Sequence, residues 1–294
     1  MRIVRIFGGL GNQMFQYALA VALKGRFAGE KIYIDRSVIR GYSLHNGFEL
    51  ERIFNTDIPQ ATFRDILKVA YPLPHHRLWQ IGRHLLPSRS SMMVEKDYRG
   101  FLPAVFEHGA DCLYDGYWQS EKYFTDCATD VRRVFRFPAF VSGSRNEALL
   151  KRMSGRTVVS LHVRRCDYMN IASAAAICTP EYYRRAVRHI RECCRPDLFL
   201  VFSDDIGWCR DNLNHIIEDT AVEYVDWNQG AESFRDMQLM SMCTHNIVAN
   251  SSFSWWGAWL NPCPEKIVVV PSRWMSDGDW SDIIPPSWHK IAVE

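Results

Sequence analysis

Residues 160–168, Ser-Leu-His-Val-Arg-Arg-Cys-Asp-Tyr, place a histidine, two arginines and an aspartate at the end of an apolar run. Period-two alternation sets Ser160, His162 and Arg164 on one face of a strand and Leu161 and Val163 on the other. Arg165 and Asp167 then fall at or beyond the strand end. Adjacent guanidiniums stay charged and grip oxyanions bidentately, which suits a diphosphate whose negative charge grows as a bond to it breaks. The plainer reading of Arg165 and Asp167 is a surface brace between the two. His162 and Asp167 are the candidates for taking a proton on chemistry alone.

Two further polar clusters follow apolar runs. In Phe202-Ser203-Asp204-Asp205 the paired aspartates either accept from ribose hydroxyls or a base edge, or cap the next helix. In residues 249–260 a strand gives way to Asn250, Ser251, Ser252 and Phe253 at the head of an aromatic helix, whose N–H groups and hydroxyls make an anion site. Trp255, Trp256 and Trp259 have helical spacing and read as core. Asp277-Gly278-Asp279 has the spacing of a metal-diphosphate motif, but it sits in a Gly/Trp/Pro-rich tail and reads as a solvated turn. Residues 6–20 hold Gly9 and Gly11 but carry Met14 where a dinucleotide loop needs its third glycine. That segment is a strand-loop-helix unit with an unusual polar pair, Asn12-Gln13, where the helix begins.

The elements that must position these clusters alternate. A strand over residues 2–7, a helix from about residue 12 to 27 and a strand over 31–35 open the chain, and 113–124 return as strand and helix. Between them, Pro72, Pro74, Pro87 and Pro103 blur the pattern. The second half is cleaner: five apolar runs at 157–165, 198–205, 221–227, 245–252 and 265–271 alternate with helical stretches, notably 179–194 and 232–243. Thr179-Pro180 is a cap followed by a first-turn proline. Such alternation predicts an α/β fold whose parallel sheet is covered on both faces, with ligands beyond the carboxyl ends of its strands. A Pro/Ser/Gly-bearing boundary near 138–156 divides the chain into 1–145 and 146–294.

A net charge of +2 over 294 residues excludes a grossly basic nucleic-acid binder. Nine cysteines, an odd count without C-x-x-C or paired Cys/His spacing, fit reduced thiols in a cytoplasmic protein and no structural zinc. Arg2 and Arg5 interrupt the first apolar stretch, so no signal peptide is expected, and no apolar window is long enough for a membrane span. Residues 66–94 hold no acidic residue but carry Lys68, Arg77, Arg83 and Arg89 among Leu78, Trp79, Ile81, Leu85 and Leu86. A peripheral membrane contact and an irregular helical segment packed on its own domain are both open there.

Taken in order, GGLGNQMFQYA, GYWQSEKYF, SLHVRRCDY, FSDDIGWC, DMQLMSMCTHNIVANSSFSWWGAWLN and DIIPPSW span nearly the whole chain, and this set resembles the bacterial α-1,2-fucosyltransferases of glycosyltransferase family 11. The resemblance implies a glycosyltransferase B-type fold, two Rossmann-like domains facing a cleft, with the final segment free to cross back to the first domain. It implies GDP-fucose as donor, inversion at the anomeric carbon, no metal, and a terminal β-galactoside as acceptor, lipid-linked in surface-glycan or O-antigen synthesis. By similarity Arg164 contacts the diphosphate with His162 and Arg165 close by, Asp236 reaches the nucleoside, and Ser251 and Ser252 meet the β-phosphate. Asp204 and Asp205 match a donor-binding pair, Asn250 and Phe253 share the donor loop, and Asn12 and Gln13 sit on the opposite wall near fucose and acceptor. Arg164, His162 and Asn12 are thus the expected catalytic positions. The family pattern has glycine where this chain has Cys166; a positive φ there would strain the cysteine, and any other conformation would make the change silent. Transfer with α-1,6 or protein O-linkage, and a non-catalytic GDP-sugar-binding protein, are the alternatives.

Overall fold

Arg2–Arg5 form strand β1 even though both arginines are charged, because each finds partners inside the protein. Arg2 lies beside Tyr114 and Glu30 (2.6 and 3.1 Å), and Arg5 beside Asp35 and Asp115 (3.0 and 2.8 Å). These pairings come from the computed structural model, which describes residues 1–42, 45–95, 100–166, 168–175 and 177–293. The chain divides into two units, Met1–Pro138 and Ala139–Glu294.

In the first unit, β1 is followed by helix α1 (Leu10–Arg26), β2 (Ile32–Asp35), α2 (Phe63–Val69), α3 (His76–Leu85), β3 (Met92–Val94) and β4 (Cys112–Asp115). All pairings are parallel, in the order β2-β1-β4-β3. The short strand β3 lies in the stretch where prolines blur the sequence pattern. It is three residues long with no alternation to betray it.

The second unit holds β5 (Val158–Val163), α4 (Pro180–Cys193), β6 (Leu198–Ser203), α5 (Ile206–Leu213), β7 (Ala221–Val225), α6 (Phe234–Ser241), β8 (His245–Ile247), α7 (Ser252–Leu260), β9 (Val268–Pro271) and β10 (His289–Ile291). Its parallel sheet has the order β7-β6-β5-β8-β9-β10, the doubly wound arrangement that reverses direction between its first and fourth strands. The sheet is apolar on both faces. Val159, Leu161, Val163, Phe199 and Val201 pack with Tyr182, Tyr183, Val187 and Leu213 of α4 and α5, whereas Val158, Leu198, Leu200 and Phe202 pack with Leu239 and Met240 of α6. Helices on both sides explain why β6 reads as a continuous apolar run and why β5 is buried along its whole length. β10, absent from the sequence reading, is a three-residue strand added beside β9.

Candidate active site

The reversal between β5 and β8 brings two of the predicted clusters to one edge of the sheet. Leu161 pairs with Ile247, so His162 to Arg165 and Val248 to Ser251 leave adjacent strands in the same direction. Below them a buried amide relay fixes the strands: Asn246 Nδ2 donates to Ser160 Oγ (2.7 Å), and Asn261 Nδ2 donates to Asn246 Oδ1 (2.8 Å). At Gly257 a Cβ would meet Met240 Cβ at 2.8 Å, so glycine lets α7 lie close against α6.

His162 is buried, shares the face of Ser160, and lies 6.0 Å from the Phe253 ring in the first turn of α7. Burial, with help from the neighbouring Arg164 charge, pushes its pKa down to about 3, so it is a neutral imidazole at working pH and a weak base. Its Nδ1 is enclosed without a hydrogen-bond partner. Asp167, the other candidate base, lies outside the described residues.

The two arginines are braced by the next strand. Arg164 Nε lies 3.3 Å from Asp204 Oδ2, and Arg165 Nε lies 3.3 Å from Asp205 Oδ2. Asp204 also accepts from the backbone N–H of Arg165 (2.9 Å) and Cys166 (3.2 Å). Asp205 caps α5 by accepting from Trp208 N (3.0 Å), and the Arg165 guanidinium sits 4.1 Å over the Trp208 ring. The aspartate pair therefore does the capping job and the arginine job at once. Cys166 is exposed and is not among the residues with positive φ, so the strain expected of a cysteine in glycine's place does not arise.

Asn250, Ser251, Ser252 and Phe253 divide by exposure. Asn250 is buried and its amide ties Ala174 O and Trp274 O (3.3 and 3.0 Å), which makes it a scaffold for the loop. Ser251 is the α7 N-cap, accepting from Phe253 N (3.3 Å). Ser252 and Phe253 are partly exposed at the helix head, where backbone N–H groups favour an anion. Trp255, Trp256 and Trp259 are buried, as their spacing predicts. Asp236 stands on the first turn of α6, where its Oδ1 accepts from Asn228 Nδ2 (2.8 Å). Burial, opposed by that hydrogen bond, pushes its pKa up to about 7.

In the first unit the corresponding reversal lies between β1 and β4. Gly8 takes φ 81, and a Cβ there would meet Asn12 Nδ2 at 2.9 Å. Asn12, partly exposed, accepts from Gln119 Nε2 (2.7 Å). Gln13 is a strap: its amide donates to Gly8 O and Gly47 O and accepts from Glu49 N, at 2.7–3.0 Å. With donors and acceptor engaged, Gln13 shapes the glycine loop. Gln16 does the same from Phe7 N to Gly116 O. Sequence reasoning missed Glu95, whose Oε2 accepts from Tyr117 N (2.6 Å) and Trp118 N (3.3 Å) after β4, holding Trp118 at φ 55. Its position after an unrecognised three-residue strand left no signal.

Asp277 and Asp279 lie in an exposed turn with Gly278 at φ 71, Asp279 accepting from Ser281 N (2.9 Å). Among the described residues no group of three or more His, Cys, Asp or Glu side chains could hold a metal ion.

A model of "Glycosyl transferase family 11" matches residues 63–292. The chain is 32% identical to an Escherichia coli alpha-1,2-colitosyltransferase, over 98% of both chains. It is 30% identical to the Escherichia coli O-antigen biosynthesis glycosyltransferase WbnK, over 97% of this chain and 98% of that one. It is 25% identical to the Bos taurus galactoside 2-alpha-L-fucosyltransferase SEC1, over 86% of this chain and 62% of that one. Among solved structures, POFUT1 in complex with GDP matches with a TM-score of 0.50 at 11% identity, over 92% of this chain and 97% of that one, a likeness of fold.

Proposed function

Because the chain belongs to glycosyl transferase family 11, we propose that this glycosyltransferase moves L-fucose from GDP-β-L-fucose to the 2-hydroxyl of a terminal β-galactoside. The reaction inverts the anomeric carbon, needs no metal, and serves a surface glycan assembled on a lipid carrier in the cytoplasm. Relatives named for α-1,2 transfer and for O-antigen biosynthesis support the linkage and the setting.

The acceptor hydroxyl attacks the anomeric carbon as its bond to the β-phosphate oxygen breaks and GDP leaves. The observation that carries this reading is that the segments holding Arg164 and the α7 N-terminus leave adjacent parallel strands at the same edge of the sheet, at the β5/β8 reversal. Asp204 holds Arg164 by Nε and so orients the guanidinium. A fixed guanidinium and the helix N–H groups absorb the leaving charge without reorganising, the role a divalent ion takes elsewhere. His162, held neutral, acts as a hydrogen-bonding neighbour of the diphosphate and not as the proton acceptor. Arg165, Asp204 and Asp205 keep the donor loop in place, Ser251 and Ser252 present the anion site, and Asp236 receives the nucleoside. Asn12 orients the transferred sugar.

The test is GDP release from GDP-fucose with excess EDTA against a panel of β-galactosides including lactose, followed by linkage analysis of the product. Acceptor-dependent release and an α-1,2 product are expected. Release only on adding a divalent ion, or α-1,6 or protein O-linkage, would overturn the assignment, and GDP binding without turnover on any acceptor would indicate a non-catalytic binder. The colitosyl name of one relative supports a second donor reading, a deoxy analogue of fucose on the same carrier. Competition between the two GDP-sugars at equal concentration separates them.

A further inference from the structure

Six of the eleven large apolar side chains exposed among the described residues fall within residues 63–86: Phe63, Leu67, Leu78, Ile81, Leu85 and Leu86. On α2, Ile66 and Val69 turn inward while Phe63 and Leu67, one turn apart, are 58% and 52% exposed. Each is followed by an exposed cation, Arg64 or Lys68. On α3, Trp79 and Gly82 face the interior, and a Cβ on Gly82 would meet Leu73 Cδ1 at 2.3 Å. That close contact fixes the roll of the helix and leaves Leu78, Ile81 and Leu85, at spacings of three and four, as one outward stripe bordered by Arg77 and His84. Arg89 ties the chain after α3 to the end of α2 by donating to Leu67 O, Lys68 O and Ala70 O (3.1–3.3 Å). Both helices also cover the same face of the sheet, Ile66 and Val69 packing with Ile3 and Leu113 while Trp79 bonds Asp115, two residues further along β4, so their outward stripes look away from that one face.

We propose that this surface rests on a lipid bilayer with anionic headgroups. Monomeric proteins seldom expose so concentrated an apolar patch without a use for it. Its charge selects the occupant. No acidic residue occurs from Ile66 to Val94, and Asp65, within α2, is engaged by the Thr62 capping box. Apolar tips with cations at their rim match the boundary between acyl chains and negative headgroups. The exposed apolar members are aliphatic apart from Phe63, without the Tyr and Trp anchors common at protein interfaces. Among the described residues no helix is long and apolar enough to cross a membrane, so the contact is with the surface. This inference stands on the first unit alone and does not depend on the donor or the linkage.

Flotation with vesicles of phosphatidylcholine, with and without a minority of phosphatidylglycerol, tests it. The wild-type protein is expected to float with the anionic vesicles, and added salt should reduce the bound fraction. Leu78→Ser/Ile81→Ser/Leu85→Ser should lower binding at least about tenfold. A second variant, Arg64→Glu/Lys68→Glu/Arg77→Glu, should lower it on anionic vesicles only. Unchanged thermal midpoints and unchanged GDP release on a soluble acceptor would show that both variants are folded. Wild-type protein that fails to float, or binding that ignores both variants, would overturn the proposal. So would a dimer in solution that the serine variant dissociates, because the occupant would then be a second copy.

Discussion

Arg5 and Arg164 hold equivalent places in the two units. Each lies at the carboxyl end of its unit's first strand and pairs with an aspartate at the end of the next, Asp35 and Asp204 respectively. Arg5 and Asp35 are sealed from solvent, Asp115 closes the other side, and Trp79 Nε1 donates to Asp115 as well (2.8 Å). Burial alone would lower the Arg5 pKa, but the two carboxylates more than reverse this. Arg164 and Asp204 keep about a quarter and a fifth of their side chains exposed. The same pairing is thus a closed brace in one unit and an open one in the other. An open brace holds the guanidinium by Nε and leaves part of it at the surface, where a phosphate can reach it; a closed one admits none without unfolding its surroundings.

The largest expected effects break that comparison from both sides. Arg5→Ala strands Asp35 and Asp115 in the interior and should cost about 3–5 kcal/mol of stability, read from urea denaturation. Arg164→Ala should leave the denaturation midpoint near wild type, because its partner can reach water. It should still lower transfer by about 10²–10³-fold or more. An Arg164→Ala protein that unfolds, or one that retains most of its activity, would erase the distinction between the two arginines.

A smaller effect is the pH dependence of two buried titrating groups of the second unit, Asp236 and His162, which have opposite signs. Asp236 has a folded pKa of about 7, above its unfolded value, so the native state holds the extra proton. Its contribution to stability is therefore lost as pH rises from the ordinary carboxylate range towards 7, and Asp236→Asn should flatten that slope. His162 has a folded pKa of about 3, below its unfolded value, so the unfolded state holds more protons and stability falls as pH drops below about 6.5. Thermal midpoints of wild type and Asp236→Asn across pH 4–8 (about the range that separates the groups) provide the check. In the same window kcat should show no limb from His162, because its imidazole is already neutral.

How legible the molecule was depended on whether side-chain type or burial decided the question. The apolar run of β6, the Thr179 cap and the tryptophans of α7 declared themselves, because both sheet faces are covered and caps have fixed chemistry. That His162, Arg164, Ser251 and Ser252 fall at strand ends was readable in the sequence. What puts those two strand ends side by side is the strand order, which is a long-range fact. Gln13 and Asn250 look like ligand groups in sequence, and the sequence does not show that their amide N–H groups donate to backbone carbonyls. Arg2 and Arg5 looked like interruptions of an apolar strand, and only the partners brought from Tyr114, Asp35 and Asp115 explain them. Glu95 follows a strand too short to show periodicity.

The smallest expected effect is at Cys166, and it sharpens the idea of an open brace. The loop after β5 is held by Asp204 through backbone N–H groups of Arg165 and Cys166, with the Cys166 thiol directed at Asp204 O (3.2 Å). Burial and the adjacent aspartates raise the thiol pKa, so it is not an activated nucleophile. With no positive φ to relieve, Cys166→Gly keeps both backbone donors and removes only the thiol contact. The substitution should leave kcat and KM for GDP-fucose unchanged and cost about 0.5–1 kcal/mol at most, through added freedom of the unfolded chain. Slow iodoacetamide labelling of the wild type, with GDP protecting Cys166 from it, is the matching observation. A large gain in activity on restoring glycine would mean that the loop must adopt a conformation cysteine resists, and the brace would then be a moving part in place of a fixed one.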